Sequence, residues 1–217
     1  MQRLAPDKVH LTPMSTPTRH TMQTTLHLTR KGARMGRTLI RLQAWNRRPG
    51  VLDGHTLADA TEILDALASI GGNLAYALCC DPEDRVEAGI WEGLAAFVRG
   101  NRPPSYRAPT PDPSDFMPDG HLVLNFTPER TLELQAWTQI LAWTGEGEAT
   151  AEMLAGAGDL LDALCAVAGP LSLELARRRM LAPRGPREAP VWAGLPDYVQ
   201  AKRREGWLAE ANADARP

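Results

Sequence analysis

The sequence lacks the motifs that define most hydrolases, nucleotide-binding enzymes and metalloproteins. Its five histidines form no H-x-x-x-H pair. It also has no G-x-S-x-G elbow, no glycine-rich phosphate loop and no dinucleotide fingerprint. We therefore predict no catalytic residue, no metal site and no cofactor. These absences favour a binding protein over an enzyme without deciding between the two classes.

Cysteine and long apolar stretches are also scarce. The three cysteines, Cys79, Cys80 and Cys165, form no C-x-x-C pair and leave one thiol over after any pairing, which fits a reducing cytoplasm better than a disulfide framework. We expect them to be buried as small apolar side chains. No apolar run approaches the roughly 20 residues that cross a bilayer, and residues 1–22 lack the apolar core of a secretory signal. We therefore expect a cytoplasmic protein outside the membrane.

The formal net charge of −2 conceals four regions of opposite sign. Residues 1–50 carry ten basic residues and one acidic residue, and residues 176–217 carry nine and five, which gives +9 and +4. Residues 51–102 carry three basic and nine acidic residues, and residues 103–175 carry two and eleven, which gives −6 and −9. Such a chain favours either an anionic partner for its basic regions or pairing between its own opposite regions.

Three blocks of sequence occur twice and in the same order. The second pair aligns without gaps, and ten of its 22 positions are identical, including Asp65/Asp162 and Gly72/Gly169. We predict a tandem duplication. The blocks are "RTLIRLQAW" (37–45) with "RTLELQAW" (130–137), "LADATEILDALASIGGNLAYAL" (57–78) with "LAGAGDLLDALCAVAGPLSLEL" (154–175), and "EAGIWEGLAAFV" (87–98) with "EAPVWAGLPDYV" (188–199).

The duplication divides the chain into five segments. Because five prolines fall within residues 101–115, we expect an extended linker between the units rather than packed structure. Met22 is an alternative start of the protein, which would leave the leader outside it. The predicted segments are a disordered leader (1–23), repeat unit 1 with a basic first helix (24–100), the Pro-rich linker (101–118), repeat unit 2 with an acidic first helix (119–203) and a tail (204–217).

Each unit opens on a strand that leads into a helix. Apolar residues alternate at 24–29 and 121–126, which is typical of strands. For the segment that follows, a β-hairpin is an alternative because "RTLELQAW" also alternates. We favour a helix, since Thr127 suits the N-cap and Pro128 the first helical position.

A long helix with one apolar seam comes next in both units. Leu64 and Leu67, with Leu161 and Leu164 in the second unit, fall on this seam. Thr56 and Asp59 form a plausible capping pair for the first copy. Gly71-Gly72 and Ala168-Gly169-Pro170 predict a kink or a break at one place in both copies, and Asp81-Pro82-Glu83 predicts the start of a third helix.

These elements predict a mainly α fold with a minor β element. A single strand is unstable because its backbone groups need a partner. We therefore expect the two strands to pair antiparallel, so that two strand-helix-helix-helix units form one intramolecular pseudo-dimer. The strand "HLVLNF" is too apolar to read a nucleic-acid groove.

The first helix of unit 1 carries the candidate binding site. At 100° per residue its arginines fall on one stripe, opposite Met35, Leu39 and Leu42. In unit 2 the block alignment places Glu133 at the position of Arg41, and the stripe is absent. The candidate residues are Arg30, Arg34, Arg37 and Arg41, with Arg48 in line if the helix persists.

Two functions fit this pattern. The first is a non-catalytic, nucleic-acid-associated protein whose arginine stripe contacts the phosphates of DNA or RNA without reading base sequence. The second is a protein-interaction or assembly module, in which the basic first unit meets the acidic second unit of another copy, or in which another protein is the partner. The second function would make the protein a homo-oligomer or a subunit of a complex.

Overall fold

Two short strands and six helices make up most of the residues that the structure describes. The computed structural model describes residues 21–48, 50–79, 85–107, 110, 112–143, 148–177 and 185–214. The elements in chain order are β1 (Met22–Leu28), α1 (Arg30–Arg47), α2 (Gly54–Leu78), α3 (Arg85–Gly100), a 3-10 helix (Pro113–Phe116), β2 (Gly120–Phe126), α4 (Pro128–Ala142), α5 (Ala151–Arg177) and α6 (Gly185–Asp214). The mainly α fold with a minor β element is confirmed, and so is the element order in each half.

The two strands form an antiparallel ribbon, as predicted. Leu26 lies opposite Leu122, and His27 lies opposite His121. The first strand starts at Met22, so the last two residues of the predicted leader belong to the ribbon. The rest of the leader, residues 1–20, lies outside the described residues.

The segments after the strands are helices, and the hairpin alternative is wrong. The Thr127 hydroxyl accepts a hydrogen bond from the Arg130 amide at 3.4 Å, with Pro128 in the first turn. Thr29 caps α1 in the same way, accepting from the Gly32 amide at 3.0 Å. Each side chain satisfies one of the amides that a helix N-terminus leaves unpaired.

The N-caps of α1 and α4 do not support the alignment of the first repeated block, residues 37–45 with 130–137. Arg37 lies eight residues after its cap Thr29, whereas Arg130 lies three residues after Thr127. The two copies of this block therefore lie on different turns of α1 and α4. Counted from the cap, Arg41 corresponds to Gln139 and not to Glu133, because Arg41 and Gln139 both lie twelve residues after their caps.

The predicted capping pair of α2 is wrong, and so is a break in the long helices, whereas a kink at the glycines stays a prediction. The N-cap of α2 is Asp53, whose carboxylate accepts from the Thr56 amide at 2.8 Å, so Thr56 and Asp59 lie inside the helix. Neither helix breaks at its glycines: α2 and α5 continue past them, and Pro170 lies within α5. Packing on both sides outweighs the local preference against proline and glycine.

The linker and the tail are more structured than predicted. Between α3 and β2 the chain makes turns and the 3-10 helix, and the Met117 carbonyl accepts from the Arg30 amide at 3.0 Å. The last helix continues through the predicted boundary at residue 203 to Asp214. Residues 81–83, where we predicted the start of α3, lie outside the described part of the chain.

One apolar core joins all six helices and the inner side of the ribbon. The predicted seam is confirmed, since Leu64, Leu67 and Leu161 are completely buried and Leu164 is 1% exposed. The ribbon packs on α1 and α4, these pack on α2 and α5, and α3 and α6 meet at the far end. The α2–α3 contact is close because Gly71 faces the Trp91 carbonyl, where a Cβ would lie only 2.6 Å away.

The structure bears on two further expectations: it leaves the location outside the membrane a prediction, and it contradicts the burial of Cys79. By length and composition α5 could cross a membrane, although only a single described helix passes this test and 44% of its apolar window is buried in the protein. Core helices pass the same test, so this is weak support for a membrane span. Cys79 is exposed and Cys165 is half-buried, while Cys80 lies outside the described residues.

Candidate nucleic-acid interface

The basic helix predicted from the sequence is α1. No acidic residue interrupts it from Arg30 to Arg47, and its opposite side carries Met35, Leu39 and Leu42, all buried. Burial of this apolar side orients the arginines away from the core.

The arginine stripe divides into two rows. Arg30 and Arg37, seven residues apart, lie beside β2, whereas Arg34 and Arg41 lie beside α2. Two helical turns separate the members of each row, so they point in nearly the same direction. The neighbours of the two rows differ, and in the row beside α2 the Arg34 side chain is less exposed than that of Arg41.

The row beside β2 is exposed. Arg30 makes a bidentate ion pair with Asp119, and both side chains are about half-exposed. The hydrogen bond from Arg30 lowers the pKa of Asp119. Arg37 donates from Nη1 to the carbonyl oxygen of His121 at 3.3 Å. A solvent-exposed ion pair of this kind contributes little to stability and can exchange its partner.

Arg34 is held by three carboxylates. Its guanidinium lies 2.7 Å from Glu62, 3.4 Å from Asp59 and 3.6 Å from Asp115. The buried Asp59 also accepts from the Thr38 hydroxyl at 3.0 Å. Arg34 therefore joins α1 to α2 and to the 3-10 helix, and this role competes with contact to an external anion.

Arg41 and Arg48 complete the predicted set. Arg41 Nη1 lies 3.6 Å from the Asp53 carboxylate and 3.4 Å from the Thr56 hydroxyl, with its side chain 57% exposed. The amide of Thr56 and its hydroxyl lower the pKa of Asp53, and Arg41 adds to this effect. Arg48 is the exposed C-cap of α1, so it lies beyond the last turn rather than on the helical stripe.

The outer side of the ribbon is polar. This corrects our expectation that the strand "HLVLNF" is too apolar to read a nucleic-acid groove. Its leucines, Leu122 and Leu124, are buried against the helices. The alternate residues point outward because successive side chains of a strand lie on opposite sides. The outward residues are Gln23, Thr25 and His27 of β1 and His121, Val123 and Asn125 of β2, all exposed.

Sequence reasoning did not foresee two arginine-centred ion-pair clusters behind this surface. In the first, Arg102 lies 2.6 Å from Asp65 and 2.9 Å from Glu188. In the second, Arg203 lies 2.7 Å from Glu87 and 2.8 Å from Asp162. The recurrence of Asp65/Asp162 was the available signal. Asp162 of α5 accepts a hydrogen bond from Arg203 of α6, whereas Asp65 pairs with Arg102, which lies beyond the end of α3.

The two clusters differ in burial. The Glu188 side chain is 1% exposed, whereas those of Glu87 and Asp162 are 32% and 53% exposed. Burial raises the pKa of Glu188 above its usual value, although Arg102 opposes this effect. Desolvation likewise raises the pKa of Asp65.

Comparisons of the chain with known proteins found no relative. No protein-family model, no curated protein and no solved structure matches the chain. Among the described residues, no group of three or more His, Cys, Asp or Glu side chains is placed to hold a metal ion.

Proposed function

We propose that the protein is a non-catalytic nucleic-acid-binding protein. Its contact surface consists of the outer side of the ribbon with Arg30 and Arg37 beside it, extended along α1 by Arg41 and Arg48. Arg34 is a structural residue in this proposal, because three carboxylates surround it. The observation that carries the proposal is the exposed polar ribbon bordered by arginines.

The chemistry of the ribbon suits the edges of base pairs. The amides of Gln23 and Asn125 lie on adjacent strands in directly paired positions, and such amides can bond both the N6 and N7 positions of adenine. Val123 is 49% exposed and offers methyl groups to the thymine methyl. A two-stranded ribbon has the width that the major groove of duplex DNA admits.

Charge supplies the attraction that brings the ribbon to the duplex. Arg37 is exposed beside β2 and bonds a backbone carbonyl rather than a carboxylate. Arg30 and Arg41 hold exposed carboxylates that a phosphate can replace. Arginine presents a planar, permanently charged fork that matches phosphate oxygens.

The experiment is a matched pair of fourfold arginine-to-glutamine variants. The test variant changes Arg30, Arg37, Arg41 and Arg48, and the control changes four exposed arginines on other surfaces. Binding of a random duplex is measured by fluorescence anisotropy at about 50 mM salt, where phosphate contacts are strong. The control residues are Arg85, Arg99, Arg107 and Arg204.

Both variants lower the net charge equally, so only the position of the charges differs. We expect the test variant to lose binding and the control variant to retain most of it, with both keeping the helical circular dichroism of the wild type. Equal losses in the two variants would mean that overall charge, and not this surface, attracts the duplex.

A specific observation favours assembly as a second function. Trp207 and Leu208, near the end of α6, are 60% and 59% exposed, and adjacent exposed apolar side chains are typical of protein–protein contacts. This function predicts that sedimentation detects self-association or partner binding that a Trp207→Ser/Leu208→Ser variant loses. A monomeric wild type that binds no protein partner would count against it.

We also propose that the chain is a tandem duplication folded as an intramolecular pseudo-dimer. Arg102 follows Glu87 by 15 residues, and Arg203 follows Glu188 by the same 15. Arg102, two residues beyond unit 1, pairs with an aspartate of unit 1 and a glutamate of unit 2. Arg203 pairs with an aspartate of unit 2 and a glutamate of unit 1, so both clusters connect the two units.

Aromatic packing supports the same relation. Phe97 and Tyr198, which correspond in the third repeated block, stack with their ring centroids 4.5 Å apart. A Cβ at Gly93 would meet the Tyr198 hydroxyl at 2.5 Å, and a Cβ at the corresponding Gly194 would meet the Phe97 ring at 3.4 Å. If residues 24–100 and 119–203 fail to superpose in an experimental structure, the duplication is refuted.

A further inference from the structure

The two ion-pair clusters have the same residue types, but among the described residues an aromatic ring covers only Arg102 and not Arg203. The ring of Tyr106 lies over the Arg102 guanidinium, with 4.3 Å between the guanidinium carbon and the ring centroid. The Arg102 side chain is 10% exposed as a result. Burial, together with the carboxylates of Glu188 and Asp65, raises the pKa of Tyr106.

Both clusters border a cavity: one of about 660 Å³ lies beside Arg102 and is lined in part by Tyr106, and one of about 680 Å³ lies beside Arg203. The Arg203 side chain is 23% exposed, more than twice the value for Arg102. The volume of the cavity beside Arg203 lies within the range of small-ligand sites, about 300–1,000 Å³. The lining of this cavity includes Leu154, Ala155, Gly158, Asp159, Asp162 and Arg203.

The chain itself explains the difference. α3 ends at Gly100, and Pro103 and Pro104 follow Arg102 in non-helical chain. The Tyr106 amide donates to the Pro103 carbonyl in a turn that places the ring over Arg102. After Arg203, α6 continues as a helix to Asp214. Among the described residues, none takes the place at the second cluster that Tyr106 takes at the first.

We propose that the cavity beside Arg203 binds a tyrosine side chain carried by an extended, proline-containing segment of a partner protein. Tyr106 defines the occupant, because it fills the corresponding place on the Arg102 cluster. The phenol ring would stack on the face of the Arg203 guanidinium, whose edges are already occupied by Glu87 and Asp162. Arginine stacks on aromatic faces in this manner.

The lining of the cavity fits such a segment. Leu154 and Ala155 provide apolar contact for the ring. The carboxylates of Asp159 and Asp162, both exposed, can accept hydrogen bonds from the phenol hydroxyl or from backbone amides. The cavity and the ribbon surface share no residue. The experiments on peptide binding and on nucleic-acid binding therefore test two separate proposals.

The test uses the full-length protein and a capped peptide with the sequence of residues 103–107, Pro-Pro-Ser-Tyr-Arg. Two glycines of α5 provide a matched pair of variants, since a Cβ has open space at both Gly158 and Gly169. Gly158 lines the cavity, whereas Gly169 is exposed elsewhere on the helix. Gly158→Leu fills the cavity, and Gly169→Leu makes the same change away from it.

We expect saturable shifts of the Gly158 and Asp162 amide resonances when the peptide is added. Replacing the peptide tyrosine by alanine should weaken binding about tenfold. Gly158→Leu should abolish binding, and Gly169→Leu should leave it unchanged, with equal helix content in both. The proposal is overturned if millimolar peptide causes no shift, if the alanine peptide binds equally well, or if Gly158→Leu binds like the wild type.

Discussion

Arg102 and Arg203 show how the surroundings of a single residue decide what its charge contributes. Both arginines hold an aspartate and a glutamate at similar distances. Glu188, the partner of Arg102, is buried, whereas the partners of Arg203 are in contact with solvent. Removing one member of a buried pair leaves an uncompensated charge, but removing one member of an exposed pair leaves a solvated one.

Replacing each arginine by methionine tests this difference. We expect Arg102→Met to lower the free energy of unfolding by about 3–5 kcal/mol, because Glu188 stays buried without its partner. Arg203→Met should cost about 0–1 kcal/mol, since Glu87 and Asp162 regain water. Urea denaturation measures both values. Equal losses would show that burial of Glu188 is not what distinguishes the clusters.

At the scale of elements, the apolar seam of each long helix is buried in the core. We expect Leu64→Ala in α2 to lower the free energy of unfolding by about 2–5 kcal/mol, because a completely buried leucine leaves a cavity. Leu173→Ala in α5 is the control, since this leucine is 60% exposed and surface changes cost about 0.5 kcal/mol or less. A Leu64→Ala loss no larger than the control would contradict the core described above.

Local signals predicted the elements well where the interactions themselves are local. Thr127 caps α4 as expected because an N-cap bond spans only three residues. The capping pair Thr56/Asp59 was wrong because the Asp59 carboxylate is bound by Arg34 and Thr38 of another helix. Sequence spacing alone does not reveal such a tertiary partner.

The opening repeat shows a second limit at this scale. The phrases at 37–45 and 130–137 are similar in letters, but the caps Thr29 and Thr127 place them on different turns. A helix has no room for the single-residue gap that their alignment requires, because one residue rotates every later side chain by about 100°. The N-cap is therefore a better reference for aligning α1 with α4 than the repeated sequence block.

At the scale of the whole molecule, the sequence predicted the ribbon and its pairing, but it predicted the arginine surface only in part. The acidic partners of Arg34 lie at least 25 residues away along the chain, at Asp59, Glu62 and Asp115. Helical periodicity places the arginines on one side without showing what packs against them. The alternation of "HLVLNF" places His121, Val123 and Asn125 on one side of the strand. Only the pairing with β1 shows that this side of the ribbon is exposed.

The salt dependence of duplex binding by the wild-type protein tests the proposed function most directly. If Arg30, Arg37, Arg41 and Arg48 neutralise three or four phosphates, the logarithm of affinity should fall with the logarithm of salt at a slope of about −3 to −4. Counterions released from the duplex produce this slope, so it counts the phosphate contacts. Absence of binding at about 50 mM salt, or tight binding that salt does not change, would contradict the proposal.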